Sequence, residues 1–194
     1  SMFYLSPEVK AGDYSIEVTA DATKAAAQIS FNAAGITKES SIEINGAKMT
    51  VEPGDTEDTL RSKSITLCDA AGLDYDKTTG DISTYGYGIT QKIEYKIPDE
   101  LAGVVSLTNI SSGTDAQASL AGGFSGTATL STDGNMVTIK DIGGFEMTIE
   151  LGENLVASSG QGALTVTEKV TEMGTMTVQL GANEGQVLEV DIPE

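Results

Sequence analysis

The chain has 194 residues, enough for one large domain or two small ones, and 39% of them are hydrophobic, so a sizeable core can form. A net charge of −18 disfavours binding to nucleic acid and to anionic membranes, because both carry negative charge themselves. The sequence has no histidine and only one cysteine, which excludes Ser-His-Asp and Cys-His catalysis, histidine-ligated zinc and internal disulfides.

The N-terminal part of the chain shows short strand patterns and one strong turn signal. Apolar and polar residues alternate, as in half-buried strands, over 14–18, 41–44 and 47–51. Residues 22–31 fit either a short helix or a strand, with a strand favoured toward their end. Asn45-Gly46 stands between two alternating runs, and because both residues tolerate positive φ this dipeptide predicts a β-hairpin.

One helix is predicted, over about 56–71. Pro53-Gly54 closes the preceding hairpin, Asp55 can cap the helix with Asp58 as a capping-box partner, and Gly72 can end it. Helical spacing brings one set of side chains onto a common face, namely Leu60, Ser64, Leu67, Cys68 and Ala71. We therefore expect the thiol of Cys68 to be buried and unreactive.

Beyond the helix, residues 73–90 have the loop-like density of Tyr, Gly, Asp and Thr, and the rest of the chain is predicted to be all β. Asp133-Gly134 is the predicted tip of a second hairpin. Strands are predicted at 93–97, which Pro98 ends, and at 104–107, 127–130, 136–139, 145–151, 164–170, 176–180 and 187–190, the last two flanking a loop at 181–186. The predicted fold class is mainly β with one short helix (α+β), built of β-rich hairpin subdomains without long coiled-coil helices.

Two segments have a partial likeness to chemical motifs. Residues 74–81 look like the start of a calcium loop, but an EF-hand needs Gly at its sixth and Glu at its twelfth position, where this chain has Thr79 and Tyr85. A solvated turn is therefore favoured there. Residues 122–126 are similar to a nucleophile elbow around Ser125, but the spacing differs and no histidine is present to activate the serine.

Two weaker possibilities complete the search for sites. Paired carboxylates can hydrolyse glycosides, but sugar sites usually need aromatic platforms and this chain has no tryptophan. Asn109-Ile110-Ser111 has the pattern of a glycosylation sequon, which we expect to be unused in a bacterial protein. The sequence thus predicts no catalytic, cofactor-binding or metal site, and we expect the protein not to be an enzyme.

Targeting signals are also missing from the pattern. No stretch approaches the roughly 20 apolar residues of a membrane-spanning helix. The start lacks the charged and then apolar regions of a signal peptide, and Ser1-Met2 has the look of a cloning scar before an internal start. We therefore expect the sequence to be a fragment of a longer protein.

Three stretches resemble the bacterial flagellins. Residues 174–192, with the run Val178-Gln179-Leu180-Gly181-Ala182-Asn183-Glu184-Gly185-Gln186 at their centre, closely resemble the β-hairpin of the flagellin inner filament domain. A second pattern, shared by flagellins and filament-cap proteins, is Ser41-Ile42-Glu43-Ile44-Asn45-Gly46 followed by Thr50-Val51, Asp55-Thr56 and Leu60. Residues 11–19 with Ala22-Thr23 look like the opening strand of the same kind of domain.

The resemblance implies a structural protein of the flagellar filament, namely the surface-exposed, variable region of a flagellin together with the inner-domain hairpin. It implies a flagellin- or cap-like β domain at 1–98, an all-β domain at 99–172 and the hairpin at 173–194. Flagellins polymerise through long heptad helices, and this sequence has no heptad pattern. The helices that carry the family's main contacts to an innate immune receptor are absent too, so we expect no receptor site here.

Partners and location follow from the same resemblance. We expect a monomeric fragment, located outside the cell on the bacterial flagellum. Other flagellin subunits would be its partners through segments outside this sequence, and an export chaperone is a further partner of the family. Export without a cleaved signal peptide and without disulfides fits the flagellar secretion route.

Two alternatives remain open at this point. One is the middle region of a flagellar filament-cap or hook-associated protein, since cap proteins share the Asn-Gly pattern. The other is a secreted Ig-like adhesion or carbohydrate-binding module. That module would need an aromatic binding face, for which the candidates are Tyr75, Tyr85, Tyr87 and Tyr95.

Overall fold

A computed structural model of the chain describes residues 2–171, 175–180 and 187–191, with side chains for 2–171. Within these residues the fold is mainly β with two α-helices, α1 (Glu57–Ala71) and α2 (Leu155–Ser159), which confirms the predicted fold class. None of the helices in these described ranges is long and apolar enough to cross a membrane. The strands are β1 Met2–Leu5, β2 Gly12–Ala20, β3 Ala26–Phe31, β4 Ser40–Ile44, β5 Ala47–Val51, β6 Leu73–Tyr75, β7 Asp81–Thr84, β8 Tyr95–Lys96, β9 Val105–Ser111, β10 Gln117–Gly122, β11 Thr129–Asp133, β12 Met136–Lys140, β13 Glu146–Glu150, β14 Leu164–Val170, β15 Thr175–Leu180 and β16 Val187–Asp191.

The chain divides into two compact units whose boundaries differ from those predicted. A discontinuous unit joins Ser1–Thr23 to Asp115–Glu194, and an inserted unit comprises Lys24–Thr114. The predicted boundaries after residues 98 and 172 followed the order of the sequence. Strand β2, however, pairs with both β10 and β14, so the first strands of the chain belong with its C-terminal half.

The inserted unit contains two sheets and helix α1. One sheet has the strand order β6-β7-β3-β9 and the other the order β5-β4-β8. Their apolar side chains form a single core with those of α1. Its most enclosed members include Ala25, Ile42, Ile44, Val51, Leu60, Cys68, Ile82 and Leu101.

Helix α1 follows the prediction except at its N-terminus. Thr56, rather than Asp55, is the N-cap, and its hydroxyl accepts a hydrogen bond from the amide of Thr59 at 3.1 Å. Asp55 instead accepts from the amide of Glu52 and pairs with Lys63, both at 2.9 Å, so its carboxylate secures the turn before the helix. Gly72 ends the helix in the left-handed conformation, as predicted, with φ of 72°.

The first predicted hairpin is confirmed. Strands β4 and β5 pair with Ile44 opposite Ala47, which leaves Asn45-Gly46 as a two-residue turn with φ of 45° and 82°. The side chain of Asn45 also donates to the carbonyl of Lys92 at 3.1 Å and accepts from the amide of Glu94 at 2.7 Å. These bonds hold the following segment beside the turn, where β8 pairs with β4.

Residues 73–90 were predicted to be a loop. They contain instead the hairpin of β6 and β7. Their polar composition hid two buried apolar side chains, Leu73 and Ile82, which anchor the two strands in the core. The strand predicted at 93–97 is also shorter than expected. Only Tyr95–Lys96 pairs with β4, while Ile93 is buried in the core outside the strand.

The discontinuous unit also contains two sheets around one core. Their strand orders are β1-β13-β12-β11 and β10-β2-β14-β15-β16. The core draws on both sheets and includes Ile16, Val18, Val137, Ile139, Met147, Ile149 and Val166. The alternation predicted for 145–151 and 164–170 is confirmed, since every second residue of β13 and β14 is buried.

The second predicted hairpin is present with a shifted tip. Asp133 pairs directly with Met136, so the turn consists of Gly134-Asn135 rather than Asp133-Gly134. Gly134 supplies the positive φ, at 58°, that the turn requires. The carbonyl and amide of Gly134 are also bonded to the segment before β10, through the amide of Ala116 and the carboxylate of Asp115.

The C-terminal strands that carry the flagellin-like pattern pair with each other, as expected for a hairpin. Strand β15 pairs with β16, Val178 lying opposite Leu188. The predicted division made this hairpin a separate part of the chain. Strand β15 also pairs with β14 along its length, however, so the hairpin belongs to the five-stranded sheet. The predicted loop at 181–186 lies outside the described residues.

Candidate functional site

A groove in the discontinuous unit contains Ser125, the serine of the segment that sequence analysis compared with a nucleophile elbow. We call it the Asp141 groove, and its volume is about 480 Å³. It is lined by Glu8, Lys10, Tyr14, Gly123, Phe124, Ser125, Thr127, Asp141, Ile142, Gly143 and Phe145. Sequence analysis singled out Ser125 but missed its partner, because Asp141 lies 16 residues away in an otherwise ordinary loop.

Asp141 holds the serine in place rather than activating it. Its two carboxylate oxygens each accept a hydroxyl at 2.5 Å, one from Ser125 and one from Thr127, and one also accepts the amide of Ile142 at 2.7 Å. These bonds, that of Ser125 foremost, lower the pKa of the carboxyl group. A carboxylate with a lowered pKa is a poor base. Its hydrogen bonds to Ser125 and Thr127 connect the loop after β10 to the loop after β12.

An aromatic cluster forms the floor of the same groove. The ring centroid of Tyr14 lies 5.2 Å from that of Phe124 and 5.9 Å from that of Phe145, and the two phenylalanine rings meet edge to face at 6.2 Å. The hydroxyl of Tyr14 donates to the carbonyl of Lys10 at 2.7 Å, and burial raises the pKa of this tyrosine. The rings therefore pack on one another and stabilise the groove.

The segment that looked like a calcium loop forms the tip of the β6–β7 hairpin. One carboxylate oxygen of Asp76 accepts from the amides of Thr78 at 2.8 Å and Thr79 at 3.3 Å. Asp81 accepts from the hydroxyl of Thr79 at 2.9 Å. Within the described part of the chain, no three or more His, Cys, Asp or Glu side chains converge as metal ligands.

We predict that this hairpin tip has no specific affinity for calcium. Titration calorimetry with millimolar calcium should give weak heats that disappear as salt is added, because only exposed carboxylates attract the ion. Asp76→Asn is the matched variant and should leave those heats nearly unchanged. A saturable one-to-one isotherm with micromolar affinity, lost in the variant, would refute the prediction.

Cys68 is enclosed by the core of the inserted unit. It is 1% exposed, and burial, reinforced by the charge of Asp74, raises the pKa of its thiol to about 11. Both the enclosure and the scarcity of thiolate oppose reaction with a thiol reagent. The placement of Cys68 on the inner face of α1 agrees with the helical spacing seen in the sequence.

We predict slow labelling of the native thiol by an aromatic disulfide reagent at pH 8. The rate should be more than about 100-fold below that of the unfolded chain in urea. The double variant Thr66→Cys, Cys68→Ala places the single thiol at an exposed position of the same helix and should react rapidly. Equal rates for the two proteins would mean that α1 does not bury Cys68.

The four tyrosines proposed for an aromatic binding face lie in different settings of the inserted unit. Tyr75 is in β6 with a buried hydroxyl that has no hydrogen-bond partner, and Tyr87 lies under the ammonium of Lys24 at 5.2 Å from the ring centroid. Tyr85 and Tyr95 are 65% and 44% exposed, the former in the loop after β7 and the latter in β8 of the other sheet.

The sequon residue Asn109 sits at an irregular point of the edge strand β9. It has a φ of 52°, and the pairing of β9 with β3 shifts register around it. Its side-chain amide donates to the side-chain oxygen Oε1 of Gln28 at 3.4 Å. This asparagine therefore has a structural part in closing the bulge.

A buried acid is the second polar residue that sequence analysis missed. Glu168 is 1% exposed in the middle of β14, and neither of its carboxylate oxygens has a hydrogen-bond partner. Burial raises the pKa of this group to about 8, an effect that the positive charge of the chain's α-amino group offsets only in part. The alternation of the strand could have predicted this burial, because Glu168 lies on the same inward-facing side of β14 as Leu164, Val166 and Val170.

In comparisons with known proteins, no protein family, curated protein or solved structure matches this chain.

Proposed function

We propose that this chain is a surface-exposed region of a bacterial flagellin, with a structural and non-enzymatic role in the filament. The observation that carries the proposal is the close resemblance of residues 174–192 to the flagellin hairpin. Two features of the fold support it. The two strands of that segment pair as a hairpin, and the Asn45-Gly46 pattern forms a strand–turn–strand unit followed by a capped helix.

The charge of the chain suits a crowded filament surface. With 29 acidic and 11 basic residues, neighbouring copies repel one another, which opposes side-by-side sticking of filaments. Contacts with other flagellin subunits would use the long helices of that family, and the described residues contain no helix longer than α1. We accordingly expect the isolated chain to stay monomeric, and light scattering after seeding with filament fragments should show no growth.

Immunogold electron microscopy on intact cells of the source bacterium tests the proposal. Antibodies raised against this chain should label flagellar filaments along their whole length. Label confined to the filament tip would favour a filament-cap protein, and label at the hook junction a hook-associated protein. Label on the cell body, or none on filaments, would overturn the flagellar proposal and favour a secreted adhesion or carbohydrate-binding module, which a glycan array would then examine.

The coding sequence that surrounds this chain gives an independent test. Long heptad helices encoded on both sides would support flagellin, since they form the coiled-coil core of the filament. An unrelated membrane or cell-wall anchor would contradict it.

A further inference from the structure

Glu168 occupies a position where a carboxylate is out of place. It lies between Tyr14 of β2 and Val178 of β15 in the register of the sheet. Its side chain is 1% exposed and both oxygens lack a hydrogen-bond partner. Buried charges in proteins are normally paired, so an unpartnered buried carboxyl group is held as the neutral acid.

Among the described residues, no buried lysine or arginine side chain is available to pair with the ionised form of Glu168. Tyr14 is the one ionisable residue among the buried members of this core, and its hydroxyl already donates to the carbonyl of Lys10. Strand β15 contains no ionisable residue. In β16, Glu189 pairs with Thr177, one register row from the row of Glu168, and Asp191 pairs with Thr175, three rows away on the same side. The chain's α-amino group favours ionisation, but less strongly than burial opposes it.

The topology determines which element yields when Glu168 ionises. On one side of β14, strand β2 is held by β10 as well as by the core. On the other side, within the described residues, β15 and β16 join the sheet through the pairing of β15 with β14. Because a two-stranded hairpin is marginal by itself, it is the element whose release brings Glu168 into water at the smallest cost.

We infer that Glu168 is a protonation-controlled latch for the hairpin of β15 and β16. With Glu168 neutral, the hairpin stays docked on β14. With Glu168 ionised, the hairpin separates from β14 as a unit, while the pairing of β14 with β2 persists.

The direction of the pH dependence follows from the higher pKa in the docked state. Docking has its full strength below about pH 4.5, the ordinary pKa of a glutamic acid, because Glu168 is then protonated in both states. It weakens as the pH rises, since the released state loses its proton first. It is weakest above about pH 8, where the docked state has lost its proton as well.

Hydrogen exchange with mass spectrometry on the whole chain at pH 5 and pH 9 tests the latch, after correction for the intrinsic exchange rates. We expect the protection of the amides in Thr175–Leu180 and Val187–Asp191 to fall at least tenfold at pH 9. The amides of β11 and β12 should keep theirs. In Glu168→Gln, which cannot ionise, the hairpin should stay protected at both pH values. Glu168→Leu is a second neutral variant and should behave in the same way.

Two results would overturn the inference. One is an equal loss of hairpin protection in the wild type and in both neutral variants, since Glu168 would then have no part in it. The other is a loss that spreads equally to β2, β11 and β12, because ionisation would then destabilise the whole unit rather than release the hairpin.

Discussion

Gly123→Ala should destabilise the discontinuous unit by about 3 kcal/mol or more. Gly123 has a φ of 89°, and a Cβ atom at this position would lie 2.0 Å from the carbonyl oxygen of Asp13. Strain in the left-handed conformation costs about 1–2 kcal/mol. The contact adds more, because the obstacle is the backbone of strand β2 at Asp13, which pairs with Lys169 of β14 and therefore has little freedom to move.

Gly122→Ala is the matched control, one residue earlier in the same glycine pair. Its Cβ would meet no atom within 4 Å, and its φ lies outside the left-handed region. Urea denaturation followed by circular dichroism should give nearly wild-type stability for this variant and a clear loss for Gly123→Ala. Equal stability of both variants would mean that the loop after β10 does not press on β2.

Leu60→Ala should lower the stability of the inserted unit by about 2–5 kcal/mol. The side chain of Leu60 is 0% exposed and projects from the first turns of α1 into the core. Alanine would leave a cavity there, because the strands packed against the helix are tied by ladder hydrogen bonds and cannot close the space. The helix itself should persist, since alanine has a high helix propensity.

Ile65→Ala on the same helix separates loss of packing from a change in helix propensity. Ile65 is 50% exposed, so its truncation should change the stability by no more than about 0.5 kcal/mol. Because both residues lie in α1, exchange of the α1 amides is the appropriate readout for this pair. Similar losses for the two variants would show that α1 does not bury the face containing Leu60.

Local features of the fold could be predicted from the sequence because they depend on neighbouring residues. The turn at Asn45-Gly46 needs two adjacent residues that accept positive φ, and α1 needs a helical face between a cap and a glycine. Predictions failed where a residue's role depends on a partner that is distant in the sequence. Asp55 was expected to cap the helix, but its carboxylate forms an ion pair with Lys63, two turns into α1. Thr56 is therefore the N-cap.

The same contrast between local and distant signals applies to the Asp141 groove and to the buried acid Glu168. Ser125 was noticed for its glycine-rich surroundings, but the partner that gives it a structural role, Asp141, is separated from it by the whole of β11 and β12. Glu168 was in reach of sequence analysis, since strand alternation places it inward between Val166 and Val170. It was missed because acidic residues are rarely buried without a partner.

The division of the chain into an inserted and a discontinuous unit also has a consequence for the order of folding during synthesis. Strand β2 leaves the ribosome early, but its neighbours β10 and β14 follow only after the whole of Lys24–Thr114. The inserted unit has all its strands and α1 in one continuous segment, so it can fold before the partner strands of β2 have been synthesised. Once compact, it shortens the effective loop that must close when β2 meets β10, which lowers the entropy cost of completing the second unit.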